Sequence, residues 1–259
     1  MIGRQTFLIT ESKKKLDTTI RILNWNISNP STKKAYRQAD WLMRGYYDIL
    51  VLTEVKSSPG CTHIKDRLFD AGYELDMPDV KGNEYGVMLA HRKEFEVKMI
   101  SNKVEFLTHR MNLKLFKIDN KEIIIAGVYM PPSANKKKME KFHEALHKFI
   151  DNNLILCDAW IVLGDFNIPY PDKSPSTKNI KLSDRIYNEF LRKGFIDAFS
   201  STNQFEDNSL FRRGKGYRPD NIFITKNLWL EILSCKYLHE TIKNRLSDHA
   251  AMLLEIKYG

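Results

Sequence analysis

Short runs of β-branched and aromatic residues, closed by Gly, Pro, Asn or Asp, recur along the chain and predict strands. They fall at 20–28, 48–55, 85–91, 112–118, 121–130, 159–164, 219–225 and 250–257. Between them, apolar residues at helical spacing predict helices at 30–45, 61–71, 136–152 and 181–193. Met139, Phe142, Leu146, Phe149 and Ile150 share one face of the third helix, and Leu182, Ile186 and Phe190 one face of the fourth. The first helix opens at Asn29-Pro30, a cap residue followed by Pro at the first helical position. Helices scattered among strands, several of which are separated only by a turn, predict a mixed α/β fold with antiparallel pairs. Two packed sheets covered by helices satisfy that pattern.

Several apolar runs end in polar groups. Trp160 to Leu163 stop at Gly164, where the backbone is expected to bend, and Asp165 and Asn167 follow. Period-2 geometry sends these two side chains to one side and Phe166 to the other. Asn24 and Asn26 lie in the first strand, Glu54 closes the second, and Tyr129 precedes two prolines. Asp220 follows Arg218 at the head of a late strand, and Asp248-His249 precedes the last one. Each has an ordinary reading as a cap, a turn or a solvated strand end. Together they supply the parts of metal-assisted phosphodiester hydrolysis. Glu54 with Asn26 or Asp248 offers oxygen ligands to a hard divalent ion. His249, oriented by a carboxylate, and Asp165 serve proton transfer. Asn167 and Tyr129 can hold phosphoryl oxygens.

The matching segments are Trp25-Asn26, Leu52-Thr-Glu54, Tyr129-Met-Pro131, Gly164-Asp165-Phe166-Asn167, Arg218 to Asp220, and Ser247-Asp248-His249. In this order they resemble the endonuclease/exonuclease/phosphatase superfamily, whose members include exonuclease III and DNase I-like proteins. The resemblance implies a four-layered α/β sandwich, two packed mixed β-sheets flanked by helices. It implies Glu54 as principal Mg²⁺ ligand (Mn²⁺ can substitute), with Asn26 and Asp248 near the metal. Asp165 corresponds to the aspartate that positions or deprotonates the attacking water, or protonates the leaving group. Asn167 and Tyr129 correspond to phosphate contacts, Asp220 to the aspartate that orients the histidine, and His249 to the catalytic histidine. Three departures count against an abasic-site role. Ser28 stands where an acidic or amide residue is usual, Pro132 follows Tyr-Met-Pro where Asn is common, and the loop 209–218 lacks Trp.

Charge sharpens the substrate expectation. The 259 residues carry 41 Lys+Arg against 32 Asp+Glu, a formal charge of +9, which favours a polyanionic partner. Arg212, Arg213, Lys215 and Arg218, interleaved with Phe211 and Tyr217, suit phosphates and bases at the rim of such a site. Gly214 and Gly216 suggest a flexible tip to that loop. The expectation is a nuclease acting on nucleic acid, DNA first, as an endonuclease or exonuclease. A phosphatase or phospholipid phosphodiesterase of the same superfamily is the alternative. A zinc metalloprotease through His143-Glu144-Ala-Leu-His147, an H-E-x-x-H match, is remote, because the two histidines flank the apolar face rather than occupy it. Residues 1–19 read as an extension and 20–259 as one catalytic domain, with the stretch from Pro169 to Lys178 as its long loop. Cys61, Cys157 and Cys235 are scattered, and no apolar run reaches the roughly 18 residues of a membrane helix. A monomeric cytoplasmic protein without a membrane partner is expected.

Overall fold

The computed structural model describes residues 18–100, 103–168 and 182–258. In chain order the strands and α-helices are β1 (Thr18–Asn26), α1 (Thr32–Arg44), β2 (Ile49–Val55), α2 (Pro59–Asp70), β3 (Tyr73–Asp76), β4 (Gly86–Arg92) and β5 (Glu96–Met99). Then come β6 (Met111–Ile118), β7 (Lys121–Tyr129), α3 (Lys136–Asn153), β8 (Ala159–Asp165), α4 (Leu182–Arg192), β9 (Phe195–Asp197) and α5 (Ala198–Thr202). The chain closes with β10 (Leu210–Arg212), β11 (Lys215–Tyr217), β12 (Asp220–Thr225), β13 (Ile232–Leu238), α6 (Glu240–Lys243) and β14 (Ala251–Tyr258).

Two mixed six-stranded sheets carry the fold, in the orders β13-β14-β1-β2-β4-β3 and β5-β6-β7-β8-β12-β9. Alternation along each strand divides the apolar residues among three layers. Ile22, Val51 and Leu89 of the first sheet meet Ile125, Ile161, Leu163 and Ile222 of the second in a shared inter-sheet core. The opposite face of the first sheet, with Leu23, Trp25 and Leu52, takes Ala39 and Leu42 of α1 and Ile64 and Leu68 of α2. The opposite face of the second, with Ile124, Val162 and Phe223, takes Phe142 and Leu146 of α3 and Ile186 and Phe190 of α4. Helix, sheet, sheet, helix is the four-layered sandwich that the resemblance implied.

Local details differ from expectation. Pro30 lies ahead of α1, whose N-cap is Ser31. The Ser/Pro start signal operates at α2, where Ser58 accepts from the Cys61 N–H and Pro59 opens the helix. Gly164 makes no bend, since β8 runs through it to Asp165, which pairs with Tyr129 on one side and Asp220 on the other. The glycine is needed for close approach: a Cβ there would stand 1.8 Å from the Val128 carbonyl oxygen. The loop from Pro169 to Lys178 lies outside the described residues, as do the extension's first 17. Among the described residues, no helix is long and apolar enough to cross a membrane.

Candidate active site

β1 and β2 are parallel, as are β7 and β8, while β14 and β12 run antiparallel to β1 and β8. This topology brings the ends of β1, β2, β7 and β8 and the starts of β12 and β14 to one rim of the inter-sheet core. Asn26, Tyr129, Asp165 and Asp220 take inter-sheet positions there, each two residues along its strand from Asn24, Gly127, Leu163 and Ile222. Glu54 breaks that rule. Val51 and Thr53 take the inter-sheet side, so plain alternation would turn Glu54 toward the helices. Instead the register with β4 shifts between Thr53 and Val55, and Glu54 adopts a left-handed φ of 57°. This bulge re-aims the carboxylate, and the Tyr129 hydroxyl donates to its Oε1 at 3.1 Å. A non-glycine residue in that conformation costs about 1–2 kcal/mol, so the surrounding sheet must hold it.

The proton-handling groups form one network. The Asn26 amide donates to Asp165 Oδ2 at 2.9 Å, and the Asn167 N–H donates to Asp165 Oδ1 at 2.8 Å. His249 Nδ1 lies 2.7 Å from Asp220 Oδ2, which also accepts from the Ser209 hydroxyl at 2.6 Å. The other Asp220 oxygen is buried without a hydrogen-bond partner. Ligand atoms of Asp165, Asp220 and His249 all lie within 4.8 Å of one another. Burial, reinforced by the Asp220 charge, pushes the Asp165 carboxyl up to about 7. Burial works against an imidazolium at His249, but the contacting Asp220 carboxylate overrides it and raises the ring to about 10. That contact favours the protonated ring, in which both nitrogens donate. Burial and the neighbouring Glu54 and Asp165 carboxylates raise the Tyr129 phenol far up, so it stays neutral.

Further oxygen-bearing side chains, Glu54, Ser28 and Asp248, lie beside this network. Glu54 follows Thr53, the pairing partner of Asn26. Ser28 joins Asn26 to Asp248: its N–H donates to Asn26 Oδ1 at 2.9 Å and its hydroxyl to Asp248 Oδ1. Burial would raise the Asp248 carboxyl, but the Ser28 bond and the His249 and Arg212 cations hold it low. Ser28 is thus the residue that tethers an exposed acid, a role its departure from the usual acidic type hid. Three further contacts escaped the sequence. Buried Ser209 supports Asp220, Ser247 receives the His249 N–H at 3.1 Å, and Arg110 stacks 4.7 Å from the Tyr129 ring centroid. Ser209 and Arg110 have no local signal, since their partners lie on other strands, whereas Ser247 belongs to the Ser247-Asp248-His249 segment and only its contact was hidden.

Asn167 leaves the strand in a left-handed conformation, φ 51°, and its amide donates to the Met130 carbonyl at 2.8 Å. Asp165 and Asn167 are therefore linked through a short turn rather than by period-2 alternation. Phe166 does point away, into the aromatic layer with Phe190 and Phe223. The loop read as flexible is a hairpin, β10-β11, closed by Arg213 and Gly214, both with positive φ, the two-residue turn that suits strand twist. Leu210 bridges to His249, so the hairpin starts beside that histidine. Arg212, Arg213 and Lys215 are exposed, Phe211 is half exposed and Tyr217 is partly buried. Arg218 requires correction: it is 2% exposed and ion-paired with Asp197 beneath the sheet, so it holds the fold and cannot reach a nucleic acid. The H-E-x-x-H reading also changes. His143 and His147 are buried, not on the rim, while Glu144, the general base of a protease reading, is exposed.

The endonuclease/exonuclease/phosphatase family model matches residues 23–249. The chain belongs to that family. Membership makes it a phosphoester-cleaving hydrolase by class, in a family served by divalent metals. Solved structures share its fold at low identity. An AP endonuclease from Archaeoglobus fulgidus is 21% identical, with a TM-score of 0.71 over 91% of this chain and 98% of that one. A 3′-5′ exonuclease from Neisseria meningitidis is 19% identical, with a TM-score of 0.72 over 92% and 99%. An AP endonuclease from Leishmania major is 12% identical, with a TM-score of 0.72 over 93% and 88%. No curated protein sequence matches the chain.

Proposed function

We propose that this family member is a Mg²⁺-dependent nuclease that cleaves phosphodiesters of nucleic acid, DNA first, by in-line attack of water. The observation that carries the reading is the meeting, within 4.8 Å, of the Asp165 carboxyl, the Asp220 carboxyl and the His249 ring, with His249 bonded to Asp220 through Nδ1. Asp165 then exchanges a proton with the attacking water or the leaving oxygen at neutral pH. His249, fixed through Nδ1 by Asp220, offers its other N–H to a phosphoryl oxygen as charge grows in the transition state. Asn26 orients Asp165, Tyr129 orients Glu54, and Asn167 stands where an amide can steady the phosphate.

Glu54 and Asn26, with Asp248 at their edge, are the residues that would hold the metal. Their all-oxygen character and the re-aimed Glu54 carboxylate fit a hard divalent ion. Bound there, Mg²⁺ or Mn²⁺ supplies Lewis-acid polarisation of a phosphoryl oxygen.

The rim hairpin supports the substrate class. Arg212, Arg213 and Lys215 put three exposed cations on the strand pair that leads into His249, and Phe211 adds an exposed ring. A Neisseria relative of the same fold is described as a 3′ phosphatase bound to product DNA hairpin, which agrees with a nucleic-acid rim. The deciding experiment offers labelled single- and double-stranded DNA, abasic duplex, RNA and inositol phosphate to the enzyme, with Mg²⁺ and with EDTA. EDTA-sensitive cleavage of a nucleic acid is expected. Turnover of inositol phosphate alone would move the chain to the phosphatase branch.

A further inference from the structure

We propose that His143 and His147 of α3 and Glu189 of α4 form a second metal centre, a zinc site of two imidazoles and one carboxylate, with water as fourth ligand, that clamps the two helices over the second sheet. It lies outside the hydrolytic cluster. The histidines are one turn apart on α3 and 3% exposed, and their rings meet edge to face with centroids 4.4 Å apart. All four of their ring nitrogens are buried without a hydrogen-bond partner. Glu189 Oε2 stands 3.2 Å from His143 Nε2, yet out of line for a hydrogen bond from the ring, and Glu189 Oε1 is 4.0 Å from His147 Nδ1. Each neutral imidazole carries a donor and an acceptor, and leaving such groups unpaired in an apolar layer is costly.

A shared cation would engage one nitrogen of each ring together with the Glu189 carboxylate. Tetrahedral zinc with bonds of about 2.0–2.1 Å sets neighbouring ligand atoms about 3.3 Å apart. The 3.2 Å pair already has that separation, and the three ligand atoms all lie within 4.8 Å. Two imidazoles and one carboxylate suit zinc better than magnesium. The nearby cations do not stand alone, for Lys193 is paired with Asp151 and Arg185 with Glu140. A cleft of about 700 Å³ lined by Glu140, Leu182, Arg185 and Arg192 opens between the same two helices. With Glu144 facing solvent, the centre has no general base, and a clamp rather than a peptidase is the consistent role.

The test uses the full chain, stripped of metal and free of any affinity tag. Zn²⁺ is titrated against a chromophoric chelator, Co²⁺ spectra report the coordination, and thermal midpoints are read with and without Zn²⁺. One tight zinc equivalent is expected, with a tetrahedral Co²⁺ spectrum and a raised midpoint. Glu54→Gln and Asp220→Asn should keep that equivalent. His147→Ala and Glu189→Gln should weaken it about a hundredfold or more, since even outer partners of metal ligands are worth 10–100-fold. Glu189 is the safer variant for folding, because its side chain is partly exposed. Zinc lost with Glu54→Gln but kept in Glu189→Gln, or no tight zinc in the wild type, overturns the proposal.

Discussion

The chain buries two clusters of histidine and carboxylate against its second sheet, and they behave in opposite ways. In one, His249 touches Asp220 in line at 2.7 Å and its ring rises to about 10. In the other, burial drives His143 down to about 4 and His147 down to about 2, although Glu189 stands within ion-pair distance. Burial is comparable, so burial does not decide the charge of a histidine. A fully buried, directly bonded carboxylate does, whereas a partly exposed carboxylate out of line does not. Acidity and alkalinity then strain different places. The His249 pair stabilises fully below pH 6.5 and loses its contribution as pH rises toward about 10. The α3 histidines cost stability as pH falls from 6.5 through about 4, because the unfolded chain takes protons that the folded one refuses.

The sharpest way to break this comparison is activity. Asp165→Asn keeps the shape of the carboxyl but removes its proton exchange, and His249→Ala removes the cation. Each should lower kcat by about 10²–10⁴-fold. Glu189→Gln, at the other cluster, should leave hydrolysis within about twofold of wild type, an allowance for ordinary surface changes of about 0.5 kcal/mol. Steady-state rates on a labelled oligonucleotide compare the three, and a silent His249→Ala would dissolve the distinction. Next in size is Asp220→Asn, which leaves His249 without its counter-charge at a loss of about 3–5 kcal/mol. Urea unfolding should show the full gap from wild type below pH 6.5 and a shrinking gap toward pH 10. A gap that does not change with pH would mean that Asp220 acts through packing alone. Smaller again is Tyr129→Phe. Removing the donor to Glu54 should cost about tenfold in kcat/KM and raise the Mg²⁺ concentration for half-maximal rate, because a single hydrogen bond to a charged group is worth about 1.5–3 kcal/mol.

Much of the molecule was legible in the sequence because period reports burial. All eight predicted strands and all four predicted helices form, with ends shifted by a few residues, and their apolar faces build the three core layers. Failures have particular causes. β13 carries a bulge between Ile232 and Ser234 that breaks its alternation. β10 and β11 are three residues each, too short to show a period, so they read as loop. The residue types at the site were legible, since Glu54, Asp165, Asp220 and His249 stand at strand ends. Their aim was not. Glu54 reaches the site only through a left-handed bulge that no residue type announces. Ser209 supports Asp220 from a segment with no chemical signature. His143 and His147 looked marginal on the wheel of α3 alone, and only the arrival of α4 buries that flank.

The smallest effects belong to the hairpin, where the contrast is between a buried cation and exposed ones in the same short segment. Arg218 is fixed to Asp197, also bonds Ser200, and lies over the Phe199 ring. Arg218→Ala therefore leaves the buried Asp197 carboxylate without its counter-charge, though still hydrogen-bonded to Tyr187 and Ser200, and should lower stability. Arg212, Arg213 and Lys215 are exposed and bury no ion pair, although Arg212 also helps hold the Asp248 carboxyl low. Their alanine variants should keep wild-type stability and weaken binding of all sequences alike. Each cation that neutralises a phosphate should, when removed, reduce the slope of log affinity against log salt by about one. Binding of a fluorescent oligonucleotide by a catalytically silenced Asp165→Asn background, measured from low to high salt, reads that slope directly. A slope unchanged in the triple variant would remove the hairpin from the binding surface while leaving the hydrolytic cluster untouched, because His249 is held by Asp220 and not by the cations beyond Leu210.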